Sequence, residues 1–458
     1  MRKWDRPNFM ADRRQQRPVT VSRRPGTRSA KRNVRAGRRR ARVRHEREAA
    51  EWLFVDAREH WGSPERVLCV PLAGGGLPAI VAELSPQSRV DAFFLDLFHA
   101  EKAREKLQPL RDRTEVYCQP DPPQGPYDLV FLPTDRRGEA ELARDLVQSA
   151  HQVLRAGGRL LTSTNNPGDR WLEEVVGRCF GKPRRVAFDS GVVYVADKTG
   201  PLKKEKDYTA EFVFRDLDRL LTVITRPGVF CHRRLDAGAR ALIRSLGPPV
   251  GMRLPGHSDV PRPRSGSDET LPGHVPGLVG SEQAVEHPVA GNAGGPAPVD
   301  AALVKSASQY CPTPRLQPAH RVLELGCGAG AVSFAAAWRV SEGSVVAVDS
   351  NARAVQCTQW GAERNALGNV RAILNADGHL DAFAPFDCVL TNPPYFSDYR
   401  IAELFVDTAQ RLLAPRGRLH VVTKSADWFV DRCQRSFGTV DVERYGEYFV
   451  VVATKPRR

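Results

Sequence analysis

At 458 residues the chain exceeds what one hydrophobic core usually supports, so two domains of roughly 100–200 residues each, plus linkers, are expected. Its 41% apolar and 26% charged residues are a soluble globular composition. No run approaches the ~18 uninterrupted apolar residues of a membrane span, and the first residues lack the apolar stretch of about 7–15 residues that a secretory signal needs. A membrane protein is thereby excluded and a cytoplasmic location expected. The nine cysteines are odd in number and scattered, never arranged as CxxC or beside paired histidines, which predicts reduced thiols and no metal. His232, His257 and His379 likewise lack metal-ligand spacing.

The formal charge of +15 is unevenly placed: residues 1–50 hold 18 Lys/Arg against four acids, net +14, which leaves +1 for the remainder. A nearly neutral body behind a basic arm concentrates attraction for phosphate in one segment, densest in RSAKRNVRAGRRRARVRHER from Arg28 to Arg47. The arm is expected to be disordered and to bind RNA.

After the arm the chain repeats itself. RVLCVPLAGGG from Arg66 matches RVLELGCGAG from Arg321, PYDLVFLP from Pro126 matches PFDCVLTN from Pro385, and LRAGGRLL from Leu154 matches LAPRGRLH from Leu413. Each half reads as an apolar run, a glycine-rich turn, a helix-compatible stretch and another apolar run. That alternation predicts α/β architecture with two tandem Rossmann-like, doubly wound domains. The first spans 51–200, a lead-in segment to the second spans 201–246, and the second domain proper spans 319–458. Between them, residues 247–318 hold 10 Gly and 13 Pro in 72 positions, which predicts a disordered Gly/Pro-rich insert. In the second domain the strands are expected at RVLELG, SVVAVD, VRAILN, FDCVLTN and GRLHVVT, closed by an antiparallel pair around Val440–Arg444 and Phe449–Thr454.

The candidate site residues lie at the ends of those strands. Glu324 leads a turn in which Gly326, Gly328 and Gly330 let the backbone approach a ligand where a Cβ would collide. The pattern is ELGCGAG, not the GxGxxG of a nicotinamide site. Asp349 ends the second strand, where an acid accepts from ribose hydroxyls, and Asp377 follows the third, where a carboxylate meets an adenine amino group. After the fourth strand stand Asn392, Pro393, Pro394 and Tyr395. Two prolines make a stiff turn without backbone donors, the Asn oxygen adds an acceptor, and the tyrosine adds a flat face. Such a set suits a planar NH₂ group whose nitrogen lone pair is turned toward an electrophile.

Through ELGCGAG, Asp349 and NPPY the sequence resembles the class I S-adenosylmethionine-dependent methyltransferases that modify exocyclic amines. From about Leu220 to Thr454 it is similar to the bacterial rRNA guanine-N2 methyltransferases: TRPGVFCHRRLDAGARALI (Thr225–Ile243) looks like the block that precedes their first cofactor strand. That family also carries a degenerate methyltransferase-like domain before the active one. The resemblance implies S-adenosyl-L-methionine as cofactor, with Phe230 and Asp236 helping to close its pocket and Asn392 to Tyr395 holding a guanine amino group. It implies rRNA or a ribosomal subunit as partner, and a monomer is expected. Cys231 stands where the family usually has serine, and Tyr395 where it usually has phenylalanine. Two further substrates suit the same motif, adenine N6 and a protein glutamine. In the first half Cys69 and Pro71 replace Glu324 and Gly326, and Leu132-Pro133-Thr134-Asp135 stands at the NPP position, so that domain is expected to be non-catalytic.

Overall fold

In the computed structural model the described residues are 49–252, 304–306, 310–394 and 399–457. The expected basic arm lies outside them, apart from its last two residues. The first domain opens with helix α1 (49–56) and continues β1 (Arg66–Cys69), α2 (Gly76–Leu84), β2 (Arg89–Phe94), α3 (Leu97–Leu107), β3 (Thr114–Cys118), β4 (Tyr127–Thr134), α4 (Ala140–Val153), β5 (Leu154–Thr164), α5 (Trp171–Phe180), β6 (Arg184–Phe188) and β7 (Gly191–Asp197). Its sheet runs β3-β2-β1-β4-β5-β7-β6, with β7 antiparallel to its neighbours.

A hairpin, β8 (Ala210–Asp216) and β9 (Arg219–Thr225), and helix α6 (Ala237–Ser245) lead into the second domain. There follow β10 (Val304–Ser306), β11 (Arg321–Leu325), α7 (Ala331–Ala337), β12 (Ser344–Asp349), α8 (Ala352–Arg364), β13 (Val370–Leu374), β14 (Phe386–Thr391), α9 (Arg400–Leu412), β15 (Leu413–Thr423), α10 (Asp427–Gln434), β16 (Thr439–Tyr445) and β17 (Tyr448–Thr454). Its sheet, β10-β16-β17-β15-β14-β11-β12-β13, repeats the seven-strand order of the first and adds β10 at one edge. The doubly wound, tandem α/β fold expected from the repeat is therefore present, with its antiparallel closing pair. Central strands such as β11 are buried along nearly their whole length, because helices cover both sheet faces and alternation is lost.

The lead-in elements belong to the second core: Phe214, Leu221, Val223, Ala241 and Leu242 pack with Val322, Leu390 and Val450. The hairpin is pinned by a fully buried ion pair between Asp216 and Arg339, at 2.5 Å, to which the Trp338 indole adds a hydrogen bond of 2.9 Å. The Gly/Pro-rich stretch 247–318 does not remain apart from the fold throughout. Cys311 and Leu316 are buried, the Arg315 guanidinium pairs with Glu443, and β10 pairs with β16. A count of glycine and proline over a long window hides these few anchoring side chains. Residues 253–303 and 307–309 lie outside the described residues.

Candidate active site

Both candidate half-sites lie at the carboxyl ends of β11, β12 and β14, which are adjacent and parallel. The turn after β11 is tied to β12: the Gly326 and Cys327 amides donate to the Val348 carbonyl at 2.8 and 2.9 Å. Asp349 accepts from the amides of Gly328 and Asn351, each at 2.9 Å, so one carboxylate joins the two turns. Burial pushes its carboxyl above the usual range. Glu324 is buried and accepts from the Ser333 hydroxyl of α7, and burial pushes its carboxyl up to about 8.

The three glycines divide their work. A Cβ on Gly330 would stand 2.6 Å from the Phe334 ring, and one on Gly326 would touch the Phe405 ring at 3.4 Å. A Cβ on Gly328, whose φ is +54°, would meet nothing within 4 Å. Gly328 thus borders open space beside Asp349. Phe230 is 66% exposed and follows Val229, which is buried against Ala354 and Cys357 with Ala329 alongside. Asp377 follows β13 but is engaged locally, by the His379 amide at 2.9 Å, Asn375 Nδ2 at 2.8 Å and the His379 ring at 2.9 Å. Those bonds, the His379 amide first, hold its carboxyl below the usual range.

On the other side of β11, Asn392 Nδ2 donates to Asp236 Oδ2 at 2.8 Å. Asp236 caps α6, with the same oxygen accepting from the Ala239 amide at 2.9 Å. A carboxylate only accepts, so the Asn392 amide must turn its nitrogen to Asp236 and present its oxygen elsewhere. The structure thus sets Asp236 against Asn392. Oδ1 lies over Gly238: a Cβ there would be 2.8 Å from Asp236 Oδ2, 3.1 Å from Asn392 Oδ1 and 3.2 Å from the Tyr448 ring. Pro393 is buried and Pro394 half-buried, while Tyr395 lies outside the described residues.

Sequence reasoning did not single out Gly238, Tyr448 or Ser333. A glycine early in an amphipathic helix is a signal for the first, since it forgoes helix propensity. The other two become visible only through contacts distant in sequence.

In the first domain the equivalent turn is filled. Glu51 of α1 accepts from the Leu72 amide at 2.8 Å, and Cβ atoms on Gly74 and Gly75 would stand 2.8 and 2.9 Å from Lys102 and Ala103 of α3. Close packing, not ligand space, accounts for this glycine run. Among the described residues no helix is long and apolar enough to cross a membrane.

The strand order, the acid at the end of β12 and the glycine turn after β11 define a class I methyltransferase domain in the C-terminal half. More particularly, residues 311–453 match the family model of the methyltransferase small domain. An rRNA large subunit methyltransferase G from Shewanella amazonensis is 31% identical over 143 residues, 29% of this chain and 37% of that protein. A release factor glutamine methyltransferase from Rhodopirellula baltica is 33% identical over 105 residues, 22% of this chain and 35% of that protein. The chain thus spans little more than a third of the length of these relatives. Among solved structures, the T. thermophilus 16S rRNA N2 G1207 methyltransferase, in complex with AdoMet and guanosine, superposes with a TM-score of 0.60 at 22% identity. That likeness covers 85% of this chain and 88% of the other, so it extends over both halves and shows the tandem fold.

Proposed function

We propose that the protein is an S-adenosylmethionine-dependent N-methyltransferase that modifies an exocyclic amine of a nucleobase in ribosomal RNA, with guanine N2 as the target. The observation that carries this reading is the fixed Asn392 amide, whose nitrogen is held by Asp236 and whose oxygen is left as an acceptor. An oxygen so oriented accepts a hydrogen bond from a planar NH₂ group and fixes the direction of its lone pair. When bound, S-adenosylmethionine supplies an electrophilic methyl group. The residues present fit that cofactor. Gly328 borders open space beside Asp349, Glu324 lies buried just before the same turn, and Phe230 is exposed next to Val229, which packs near Ala329 of that turn. Phe230, Asp349 and the 326–330 turn are accordingly assigned to the cofactor, and Asn392 with its two prolines to the acceptor.

The relatives named for ribosomal RNA and the guanosine-bound structural neighbour support the choice of a nucleobase. The glutamine methyltransferase relative aligns over 22% of this chain, and the basic arm favours a phosphate-rich partner. The test is mass spectrometry of nucleosides from both rRNAs of a deletion strain, complemented with the native chain or with Asn392→Ala. One N2-methylguanosine should disappear, return with the native chain and fail to return with the variant. Single-turnover rates in vitro should fall on the order of 10²–10³-fold, the cost of losing one preorganised group. Unchanged rRNA together with loss of a methylated glutamine in a release factor would refute the reading.

A further inference from the structure

At the sheet end that carries Asn392 lies an aromatic stack that the chemistry above does not use. Tyr399 and Trp428 lie face to face, with ring centroids 4.4 Å apart and an interplanar angle of 14°. Trp428 in turn meets the buried Phe429 edge-on at 4.9 Å, which anchors the pair to the core. Tyr399 is 42% exposed and adopts a φ of +63°, a conformation that residues with a large side chain rarely take up. Tyr399 is thus stacked on a ring that is tied to the core, while much of it stays open to solvent.

The stack's place in the fold gives it a meaning. Tyr399 precedes α9 in the connection after β14, and Trp428 opens α10 in the connection after β15. These two strands are adjacent and parallel, with Thr391 opposite Val421, so the stack bridges two loops at the sheet end that carries Asn392. Helix α9 also reaches the cofactor side, since Phe405 packs on Gly326. Tyr399 is six residues earlier, about 9 Å along the helix at 1.5 Å per residue. Two exposed cations lie next to the stack in sequence: Arg400 opens α9 and Lys424 follows β15.

We propose that the Tyr399–Trp428 stack is a platform for an unpaired base of the RNA substrate, the neighbour of the base whose amine Asn392 holds. The proposal rests on the nucleobase reading above and deepens it. An enzyme that acts on a base inside a structured RNA must draw that base out of its stack, and the neighbour then loses one stacking face. An aromatic ring replaces that face without regard to sequence, while cations on the flanking loops meet the phosphates.

The experiment measures binding of a fluorescein-labelled 15-nucleotide oligouridylate to the full chain at 0.3 M KCl, where the arm's contribution is reduced. Tyr399→Ala and Trp428→Ala should each weaken it about tenfold to hundredfold, and Tyr399→Phe should retain it. Affinity for S-adenosylmethionine, measured by calorimetry on the same preparations, should be unchanged, which separates loss of the platform from loss of the fold. Equal oligonucleotide affinity in the native chain and both alanine variants would overturn the proposal. An alanine variant that binds oligonucleotide weakly while the native chain methylates no RNA would sustain the platform and overturn the enzymatic reading instead.

Discussion

Asp236 offers the sharpest test of the proposed acceptor site, because in that proposal it acts through the orientation of Asn392. Its Oδ2 accepts from Asn392 Nδ2 at 2.8 Å and from the Ala239 amide at 2.9 Å. Asp236→Asn preserves shape and retains an oxygen to cap α6, a change that is nearly neutral at a helix N-cap. What it loses is the charge-assisted bond that forces the Asn392 nitrogen to face away from the acceptor. Such a bond contributes about 1.5–3 kcal/mol, and without it the amide is free to flip and present NH₂ to an NH₂ substrate. The expected result is a fall in kcat of about 10–150-fold, with the melting temperature and S-adenosylmethionine affinity held. Because the two residues act as one unit, Asp236→Asn should cost less than about twofold when added to Asn392→Ala. Single-turnover assays in which the two losses multiply would show that Asp236 acts by a separate route, and the argument from amide orientation would fail.

Three further outcomes follow from the geometry. Gly238→Ala should improve helix propensity yet lower kcat by at least about tenfold, since its Cβ would crowd Asn392 Oδ1 and Asp236 Oδ2, at 3.1 and 2.8 Å; a variant with full activity would show that the helix yields. Glu324, pushed up to about 8 by burial, stays protonated in the fold through a pH range in which the unfolded chain ionises, so its contribution to stability falls as pH rises from about 4.5 to 8. Urea unfolding of Glu324→Gln across that range should lose this slope, and an unaltered slope would assign it to another group. Deleting residues 1–48 should flatten the salt dependence of RNA binding by about 0.7–0.9 for each phosphate that the arm neutralises, and an unchanged slope would make the arm a passenger.

Much of the second domain was legible because each strand is a short apolar run that ends in a chemically distinctive residue. Asp349 and Asn392 could be placed near one another before any coordinates, since both follow strands that flank β11 in a doubly wound sheet. What stayed hidden were the partners. Asp236 is 156 positions from Asn392, and no periodicity links a helix cap to the turn that it orients. Asp236 and Asn392 were both visible as candidates, but the bond between them was not, and that bond decides which atom of the amide faces the acceptor. The end of the Gly/Pro-rich stretch shows the converse difficulty. Its composition reads as unstructured, yet Cys311 and Leu316 carry it into the core with a few apolar contacts.

The two halves use the same strand end for different ends. In the order of the sheets β2 corresponds to β12, so Phe94 stands where the second domain has Asp349. The residues just beyond meet each other across the domain boundary. Asp96 pairs with Asn351 in an antiparallel bridge, the Leu97 amide donates to the Ser350 carbonyl at 2.8 Å, the Ala352 amide donates to the Leu95 carbonyl at 2.7 Å, and the Ser350 hydroxyl donates to Asp96 at 2.7 Å. Arg353 then runs fully buried into the first domain, to Asp145 at 2.7 Å and to the Pro120 carbonyl at 2.7 Å. Removing one partner of such a buried pair costs about 3–5 kcal/mol, because the charge left behind has no water to turn to. A domain whose own cofactor turn is filled by Glu51 has therefore kept its β2 loop as a docking surface. The surface it grips is the turn that follows Asp349, so the backbone next to that residue is held from both domains at once.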